Sequence, residues 1–348
     1  VYIIAVPTPD KKNKLPDLNL IKKATYDVAK ILSRGNIVIY ESTVYPGVTE
    51  DFCVPILEKK SKLIFNKDFS CGYSPERINP GDNKNTLENI IKITSGSNIH
   101  ASKIIDEIYK KIIKAGTLKV KSIKVAEAAK VIENAQRDIN IAFINEIKII
   151  FDKIGLNIYE VLEASSTKWN FLNFKPGFVG GHCIGVDPFY ISFLAKKNGY
   201  NPKVILSGRE VNDKMPLYEA SNFYKKFIKD KSTKKISNVL VLGATFKENC
   251  PDLRNSKAIE FINNMKKDDI NIDVFDPIAN QKELKKKLRT KSIIPLESIN
   301  NKKYDGIFIA VNHDYFKKMG YKKILSFTNS KNNVYDFKNL FKNKFFKK

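Results

Sequence analysis

The chain has 348 residues, of which 43% are hydrophobic and 28% charged, the composition of a globular protein with two or three domains of ~150 residues each. This excludes collagen-like, disulfide-scaffold and wholly disordered chains, and no apolar run approaches the ~18–20 residues of a membrane helix. The 61 Lys and Arg residues against 37 Asp and Glu residues give a formal net charge of +24. Because the lysines are spread along the whole chain, we interpret this charge as a compositional bias and expect neither a nucleic acid nor a membrane as partner.

Short apolar runs alternate with helical patterns over the first third of the chain. The run Tyr2–Val6, closed by Pro7, predicts a buried parallel strand, and residues 18–32 carry helical periodicity. Further strands are predicted at residues 37–40, 69–73, 90–94 and 118–120, with helices after Gly47 and at residues 103–113. This alternation predicts a doubly wound α/β domain, which we place at residues 1–122.

The middle of the chain has helical periodicity only. Residues 125–154 contain neither Gly nor Pro, and their apolar residues recur at helical spacing, which predicts one long helix that links two domains. Shorter helices are predicted at residues 158–164, 189–197 and 216–228. We therefore expect a central helical domain at residues 123–230.

A second α/β pattern follows a Lys- and Ser-rich break at residues 230–237. Strands are predicted at residues 239–242, 272–275, 306–311 and 334–335. We place a second Rossmann-like domain at residues 231–348. The predicted fold class is α/β, with two Rossmann-like doubly wound domains joined by a long central helix and a helical middle domain.

The first α/β domain lacks the usual dinucleotide-binding fingerprint. The sequence contains no G-x-G-x-x-G, and no ribose-binding acidic residue follows such a loop. We expect the first domain to be N-terminally truncated by ~70–80 residues, which is two to three βα units. A chain without the glycine loop would lose most of its affinity for a dinucleotide.

The cysteines and histidines favour a reduced protein without a metal site. The four cysteines, Cys53, Cys71, Cys183 and Cys250, form no C-x-x-C pair, and only three histidines are present. We therefore predict a cytoplasmic protein and no metal centre.

One glycine-rich segment, PGFVGGHCIGVDP at residues 176–188, carries the strongest chemical signal. Its glycines leave few side chains around Cys183, so a substrate can approach the backbone and the thiol can act as a nucleophile. Asp187 follows Cys183 by four residues, within reach of one helical turn. Lys130 and Asn134 are also four residues apart and share one face of the long helix.

Several segments in order resemble the UDP-glucose/GDP-mannose dehydrogenase family. They are VPTP at 6–9, ESTVYPG at 41–47, SPERINPGD at 74–82, KVIEN at 130–134, TKWNFL at 167–172, the glycine-rich segment, and GATFKENCPDLRNS at 243–256. TKWNFL followed by the glycine-rich segment is most similar to the branch that oxidises UDP-N-acetylhexosamines. The resemblance covers nearly the whole chain and depends on several independent motifs.

The resemblance implies an NAD-dependent, four-electron oxidation of the C6 alcohol of UDP-GlcNAc or UDP-GalNAc to the uronic acid. Cys183 would hold the substrate as a thiohemiacetal and then as a thioester. The product would supply surface polysaccharide biosynthesis, and the enzyme would be a homodimer or a higher homo-oligomer. UDP-ManNAc and UDP-glucose are the alternative substrates, and a catalytically impaired chain that binds UDP-sugar but not NAD is the alternative function.

The resemblance also assigns roles to individual residues. Lys130 and Asn134 would stabilise the developing oxyanion, and Asp187 would orient a water or hold Lys130 charged. Glu76 would be the general base for thioester hydrolysis, and Thr43 would lie beside the nicotinamide and the reacting carbon. Contacts to the cofactor are implied for Thr8, Pro9, Thr43 and Arg254. Contacts to the substrate are implied for Arg77, Lys130, Phe171, Leu172, Asn173, Phe174, Lys175, Gly180, Phe246 and Lys247.

Overall fold

This computed structural model divides into two units, and each unit contains alternating strands and helices. The structure describes residues 1–11, 13–78, 85–181, 184–227, 237–265, 270–288, 293–329 and 333–342. The first unit comprises Val1–Arg137 and Val186–Leu206, and the second comprises Asp138–Gly185 and Ser207–Lys348. Residues 230–236 of the predicted break between domains lie outside the described residues.

A five-stranded sheet forms the centre of the first unit. Its strands lie in the order β1-β2-β3-β4-β5, with bounds β1 Tyr2–Ile4, β2 Ile37–Tyr40, β3 Ser70–Tyr73, β4 Lys92–Gly96 and β5 Thr117–Lys119. Neighbouring strands are parallel except β3 and β4, which run antiparallel. Among the described residues between β3 and β4 there is no α-helix, only the turn Leu87–Asn89. Parallel pairing needs a long crossover, usually helical, so the returning strand adopts the opposite direction.

The helices of the first unit cover this sheet. They are α1 Asn19–Ala29, α2 Val54–Ser61, α3 Ile99–Lys110 and α6 Asp187–Lys197. The π-helical turn Val48–Cys53 precedes α2, and helices α4 (Ile123–Ile154) and α5 (Ile158–Ser165) lie between α3 and α6 in the sequence. Val38, Tyr40, Cys71 and Tyr73 are completely buried in the sheet. Tyr190 of α6 is also fully buried and packs with Val131 and Tyr45. This packing fixes the start of α6 against the long helix within the first unit.

The long helix predicted from the middle of the chain is α4, Ile123–Ile154, with 32 residues. Its residues up to Arg137 belong to the first unit and those from Asp138 to the second. Two further helices are α5 Ile158–Ser165 and α7 Lys203–Phe227. Helix α7 begins 13 residues before the predicted start at Pro216, which lies inside the helix. Arg209 and Asn212 explain this difference, because both are buried and hydrogen bond to Asp138 within the second unit.

The second unit contains a four-stranded parallel sheet in the order β7-β6-β8-β9. Its strands are β6 Ser237–Leu242, β7 Ile270–Phe275, β8 Gly306–Ile309 and β9 Val334–Asp336, and its helices are α8 Lys257–Asn264, α9 Gln281–Lys287, α10 Leu296–Asn300, α11 Asp314–Met319 and α12 Tyr321–Leu325. Residues 239–242 of β6 are completely buried. Strands covered on both faces are almost uniformly apolar, which is why the sequence pattern identified them. Two Rossmann-type units and a long helix confirm the predicted fold class.

In the part of the chain that the structure describes, no helix has both the length and the apolar content required to cross a membrane.

Candidate active site

Two polar side chains meet where α4 lies beside the start of α6, and a lysine of α4 influences them through its charge. Asn134 Nδ2 donates a hydrogen bond of 2.5 Å to Asp187 Oδ2. Lys130 lies one helical turn before Asn134 on α4, and its charge acts on the same carboxyl group. Asp187 is only 2% exposed. The structure thus brings together Lys130, Asn134 and Asp187, all of which the sequence predicted as site residues.

Burial controls the protonation of Asp187. Loss of solvent raises its pKa to about 7, although the Asn134 hydrogen bond and the Lys130 charge lower it and Glu133 adds a smaller upward contribution. Asp187 therefore changes its charge near neutral pH. A carboxyl group of this kind can accept or release a proton during catalysis.

Cys183 and His182 lie outside the described residues, but the glycines that precede them make hydrogen bonds to two asparagines. Asn145 of α4 donates to the Gly177 carbonyl at 3.0 Å and accepts from the Gly177 amide at 2.9 Å. Four residues later, Gly181 N donates to the Asn255 carbonyl at 3.2 Å, and Asn255 Nδ2 donates to the Gly181 carbonyl at 3.0 Å. Two asparagines therefore fix Gly177 and Gly181, which precede Cys183 in the sequence.

Close backbone approach explains why glycine occupies position 180. A Cβ atom added to Gly180 would lie 2.3 Å from the Asn255 carbonyl oxygen. Gly181 has φ of 77°, and a Cβ atom there would lie 2.7 Å from the Phe246 ring.

Neither Asn145 nor Asn255 was predicted from the sequence as a site residue. Asn255 lies within the GATFKENCPDLRNS motif, whereas Asn145 has no signal beyond being a polar residue in an apolar stretch of helix.

Glu76 and Arg77 lie in the loop after β3, close to α4. Arg77 Nη2 and Glu133 Oε1 form an ion pair at 2.6 Å, and Arg77 Nη1 donates to the Ile91 carbonyl at 2.9 Å. Glu76 Oε1 accepts a 2.5 Å hydrogen bond from the Ile78 amide. Glu133 was missed by the sequence analysis, although it adjoins Asn134. It anchors Arg77 to the helix that carries Lys130.

The ends of β1 and β2 meet at the carboxyl edge of the first sheet. Thr8 Oγ1 donates to the Thr43 carbonyl at 2.5 Å, and the Tyr190 hydroxyl donates to the Thr8 carbonyl. Thr8, Pro9 and Thr43, all predicted to contact the cofactor, therefore lie near one another. Dinucleotides bind at this edge of Rossmann-type sheets, so the residues present fit the predicted use of NAD.

A buried carboxyl group supports the loop after Thr43. Glu127 of α4 is completely buried and accepts hydrogen bonds from the Gly47 amide at 2.6 Å and the Thr49 amide at 2.9 Å. Burial raises the pKa of Glu127 to about 7, despite the opposing effect of these hydrogen bonds. Glu127 was not predicted, because its partners come from a distant part of the sequence.

In the second unit, Phe246 and Lys247 follow β6 at the carboxyl edge of the sheet. Lys247 Nζ lies 5.8 Å from the centre of the Phe246 ring. Both residues line a small cavity of about 10 Å³ together with Phe178 and Lys338. Gly180, Phe246 and Lys247, three predicted substrate contacts, are thus close together within this unit.

The other predicted contacts are more exposed. Arg254 pairs with Asp252, with 2.6 Å between Nη2 and Oδ2, and its side chain is 61% exposed. Residues 171–175 form an irregular segment without helix or strand, and their side chains are partly or fully exposed. Their predicted roles toward NAD and the sugar nucleotide stay predictions.

The three cysteines that the structure describes are unsuited to nucleophilic chemistry. Cys53, Cys71 and Cys250 are buried and unpaired. Burial raises the pKa of Cys53 to about 12 and that of Cys71 well above its usual value. The thiolate is the reactive form of cysteine, so Cys53 and Cys71 are inert at neutral pH, while Cys250 is shielded by burial.

The fold and these residues define a nucleotide-binding α/β dehydrogenase. Two Rossmann-type sheets each gather polar side chains at their carboxyl edges, and helix α4 adds a lysine, an amide and a buried carboxyl partner. The sequence profiles of one family match the chain in three consecutive segments. Residues 1–113 match its NAD binding domain, residues 124–214 its central domain and residues 240–343 its UDP binding domain. The chain belongs to the UDP-glucose/GDP-mannose dehydrogenase family.

Individual relatives agree with this assignment. The chain is 51% identical over 337 residues to UDP-N-acetyl-D-glucosamine 6-dehydrogenase of Salmonella typhi, covering 97% of this chain and 79% of that protein. It is 49% identical over 340 residues to the enzyme of the same name from Pseudomonas aeruginosa, covering 98% and 80%. The crystal structure of UDP-D-ManNAc dehydrogenase from Pyrococcus horikoshii superposes with a TM-score of 0.84 at 29% identity, covering 98% and 77%. The family, the enzyme class and NAD as cofactor, all predicted from the sequence, are confirmed.

Proposed function

We propose that this chain oxidises the C6 alcohol of UDP-N-acetyl-D-glucosamine to the carboxylate in two NAD-dependent steps. The observation that carries this proposal is the Lys130, Asn134 and Asp187 cluster, with Cys183 four residues before Asp187 in the sequence. The names of the two relatives at about half identity support the N-acetylglucosamine substrate.

The chemistry of these residues accounts for both oxidations. Loss of a hydride and a proton from the C6 alcohol gives the aldehyde. The Cys183 thiol then adds to this aldehyde, with its sulfur bonding to C6 and its proton passing to the oxygen, to form a thiohemiacetal. Loss of a second hydride and the hydroxyl proton gives a thioester, which water hydrolyses to the carboxylate and the free thiol. NAD, when bound, accepts one hydride in each oxidation, so each sugar yields two NADH.

Positive charge and amide hydrogens from α4 suit the oxyanion that develops at C6. Lys130 and Asn134 would stabilise this charge, while Asp187 holds the Asn134 amide in one orientation. Glu76 would act as the general base that activates water for thioester hydrolysis. Arg77, held by Glu133, would contact the substrate from the same loop as Glu76.

The remaining contacts would hold the two nucleotides. Phe246 and Lys247 would bind the uridine diphosphate, since a lysine beside an aromatic ring suits a base and a phosphate. Residues 171–175 and Gly180 would surround the sugar and diphosphate. Thr8, Pro9, Thr43 and Arg254 would hold NAD. We retain the division into domains at 1–122, 123–230 and 231–348, which the family matches at 1–113, 124–214 and 240–343 support.

Exposed apolar residues on α4 support a proposed assembly, and the unpaired cysteines support a proposed location. In the first unit α4 exposes Val125 and Ile132, and in the second unit it exposes Phe143 and Ile150. The members of each pair are seven residues apart and lie on one helix face, so we propose that α4 packs in a homodimer. The unpaired cysteines among the described residues suit a reducing cytoplasm, where the product would serve surface polysaccharide synthesis.

Replacement of the predicted nucleophile tests the mechanism. We expect the wild-type chain to form two NADH per UDP-GlcNAc, and Cys183→Ser to lower the turnover rate at least roughly 10³-fold. The control Cys71→Ala removes a buried thiol and should keep this activity. Full turnover by Cys183→Ser would refute the covalent mechanism. Comparison with UDP-GalNAc, UDP-ManNAc and UDP-glucose identifies the substrate, and a higher kcat/KM for one of these would replace the proposed sugar.

One alternative function is a chain that binds UDP-sugar without NAD. Calorimetric titration with UDP and with NAD separates the two functions. Binding of both nucleotides supports the dehydrogenase. Binding of UDP alone would support the impaired chain.

A further inference from the structure

His313 occupies a central position in the second unit that the proposed chemistry does not use. It precedes α11, after the carboxyl end of β8, and its side chain is 1% exposed. Its ring packs against Phe316, with 5.6 Å between the ring centres. A histidine buried this deeply requires partners for both ring nitrogens.

The hydrogen bonds of His313 determine which nitrogen carries the proton. The Asn249 backbone amide donates to Nδ1 at 3.0 Å. Nε2 lies 3.1 Å from Asp276 Oδ2 and 3.1 Å from Thr245 Oγ1. Because a backbone N–H can only donate, Nδ1 accepts and the neutral ring carries its hydrogen on Nε2. The imidazole therefore donates on one side and accepts on the other.

Asp276 provides a fixed, charged acceptor for this hydrogen. Its carboxylate accepts from the amides of Ala244 at 2.7 Å, Thr245 at 3.1 Å, Ile278 at 3.0 Å and Ala279 at 2.9 Å. Burial alone would raise its pKa, but the hydrogen bond with His313 and those from the backbone amides lower the pKa of Asp276 to about 2. The carboxylate is therefore ionised at neutral pH and anchors the imidazole.

Two of the residues that contact the imidazole, Thr245 and Asn249, flank Lys247 on either side. Thr245 precedes Lys247 by two residues, and its hydroxyl also donates to the Lys247 carbonyl at 3.0 Å. Asn249 follows Lys247 by two residues and has a φ of 54°. This left-handed conformation is uncommon for residues other than glycine, so it requires stabilising contacts. Asn249 Nδ2 donates to Asp314 Oδ2 at 2.8 Å, and the Asp314 amide donates back to Asn249 Oδ1 at 3.0 Å. The turn that presents Lys247 is thus fixed at both ends.

We propose that His313 is a positioning residue for Lys247. The two ring nitrogens of His313 hold residues 245–249 in the one conformation that binds the nucleotide diphosphate. This inference rests on the proposed function, in which Lys247 contacts UDP. A phenylalanine could fill the same volume beside Phe316. It would leave the Asn249 amide without its imidazole acceptor and would remove the one side-chain donor described for Asp276, so the Lys247 turn would lose its preferred conformation.

The test measures UDP binding to the full chain by calorimetry. We expect Lys247→Met to weaken binding about tenfold and His313→Phe to weaken it by a similar factor. The double variant should bind no more weakly than Lys247→Met alone, because His313 acts through Lys247. His313→Asn keeps an acceptor near the Nδ1 position and should restore part of the affinity. His100→Gln, on an exposed position of α3 in the first unit, is the control and should bind like wild type.

Each outcome separates this inference from the proposed function. Unchanged UDP affinity in Lys247→Met would remove Lys247 from the proposed substrate site. Weaker binding in Lys247→Met together with wild-type affinity in His313→Phe would overturn the positioning role alone. Additive losses in the double variant would also overturn it, since they indicate a general loss of stability. If His313→Phe does not fold, the same comparison is made with His313→Gln, which keeps a donor toward Asp276 and removes the Nδ1 acceptor.

Discussion

Asp187 and Glu127 are two buried carboxyl groups with different partners. Asp187 accepts from one side-chain amide and is influenced by Lys130. Glu127 accepts from two backbone amides. In both, burial outweighs the hydrogen bonds and raises the pKa to about 7. The folded protein therefore retains protons at these positions that the unfolded chain releases at much lower pH.

This retention predicts how Asp187 affects stability. The folded-state pKa is about 7 and the ordinary value is 3.8, so between these values the folded state binds more protons. The contribution of Asp187 to stability is complete at pH values below its ordinary pKa and is lost as the pH rises through its folded-state pKa. The free energy of unfolding falls by at most about 1.4 kcal/mol per pH unit over this range. We expect Asp187→Asn to remove this part of the pH dependence between about pH 4 and 7.

Denaturant unfolding of wild type and Asp187→Asn at several pH values measures the difference. Glu127 is present in both proteins, so its own contribution cancels. Equal slopes of unfolding free energy against pH in the two proteins would contradict the raised pKa of Asp187.

At the residue level, sequence spacing predicted some contacts and not others. Lys130 and Asn134 share a helix face, which the i, i+4 spacing predicts directly. The contact of Arg77 with Glu133 joins residues 56 positions apart, and that of Asn145 with Gly177 spans 32 positions. No local pattern predicts such pairs, because the tertiary fold alone brings them together.

Helix α4 positions polar groups at several levels along its length. Glu127 supports the loop after β2, Asn134 holds Asp187, and Asn145 holds the start of the glycine-rich segment. Its length and limits were predicted well because it lacks Gly and Pro and repeats at helical spacing. The same rule failed for α7, where a proline in mid-helix suggested a helix start.

Asn145 gives an element-scale prediction. Asn145→Ala removes both hydrogen bonds to Gly177 and the 2.8 Å hydrogen bond to Asn212 Oδ1, all completely buried. We expect the free energy of unfolding to fall by about 1–3 kcal/mol, because the partners stay buried without hydrogen bonds. Chemical denaturation followed by fluorescence measures this change.

The neighbouring exposed residue provides the matched control. Glu146→Ala on the same helix should change the unfolding free energy by less than about 0.5 kcal/mol. Equal effects of the two substitutions would show that the Asn145 contacts contribute nothing specific.

Across the whole molecule, apolar runs were enough to locate both sheets. All nine strands of the described residues overlap predicted strands, and the strands of the second sheet were recognised by their buried apolar runs. The antiparallel direction of β4 against β3 was not predicted, since strand direction depends on the connection and not on the strand's own residues.

The exposed apolar residues of α4 give a prediction at this scale. Phe143 is 56% exposed and Ile150 46% exposed. If they lie in a dimer interface, Phe143→Lys should bury an unpaired charge and shift the protein toward monomer. Light scattering after size-exclusion chromatography reports the mass of wild type and variant.

Ile99 is the control for this experiment, because it is 92% exposed and lies on α3. Ile99→Lys should leave the mass of the assembly unchanged. A wild-type protein that elutes as a monomer at micromolar concentration would contradict the proposed interface.

The shielding of Cys53, Cys71 and Cys250 has a practical consequence for spectroscopy. A maleimide dye added to the native chain at neutral pH meets buried sulfur at all three positions, and burial also raises the pKa of Cys53 and Cys71. A fluorophore can therefore be directed to the glycine-rich segment without first engineering a cysteine-free background. Its emission would then follow ligand arrival at that segment in real time.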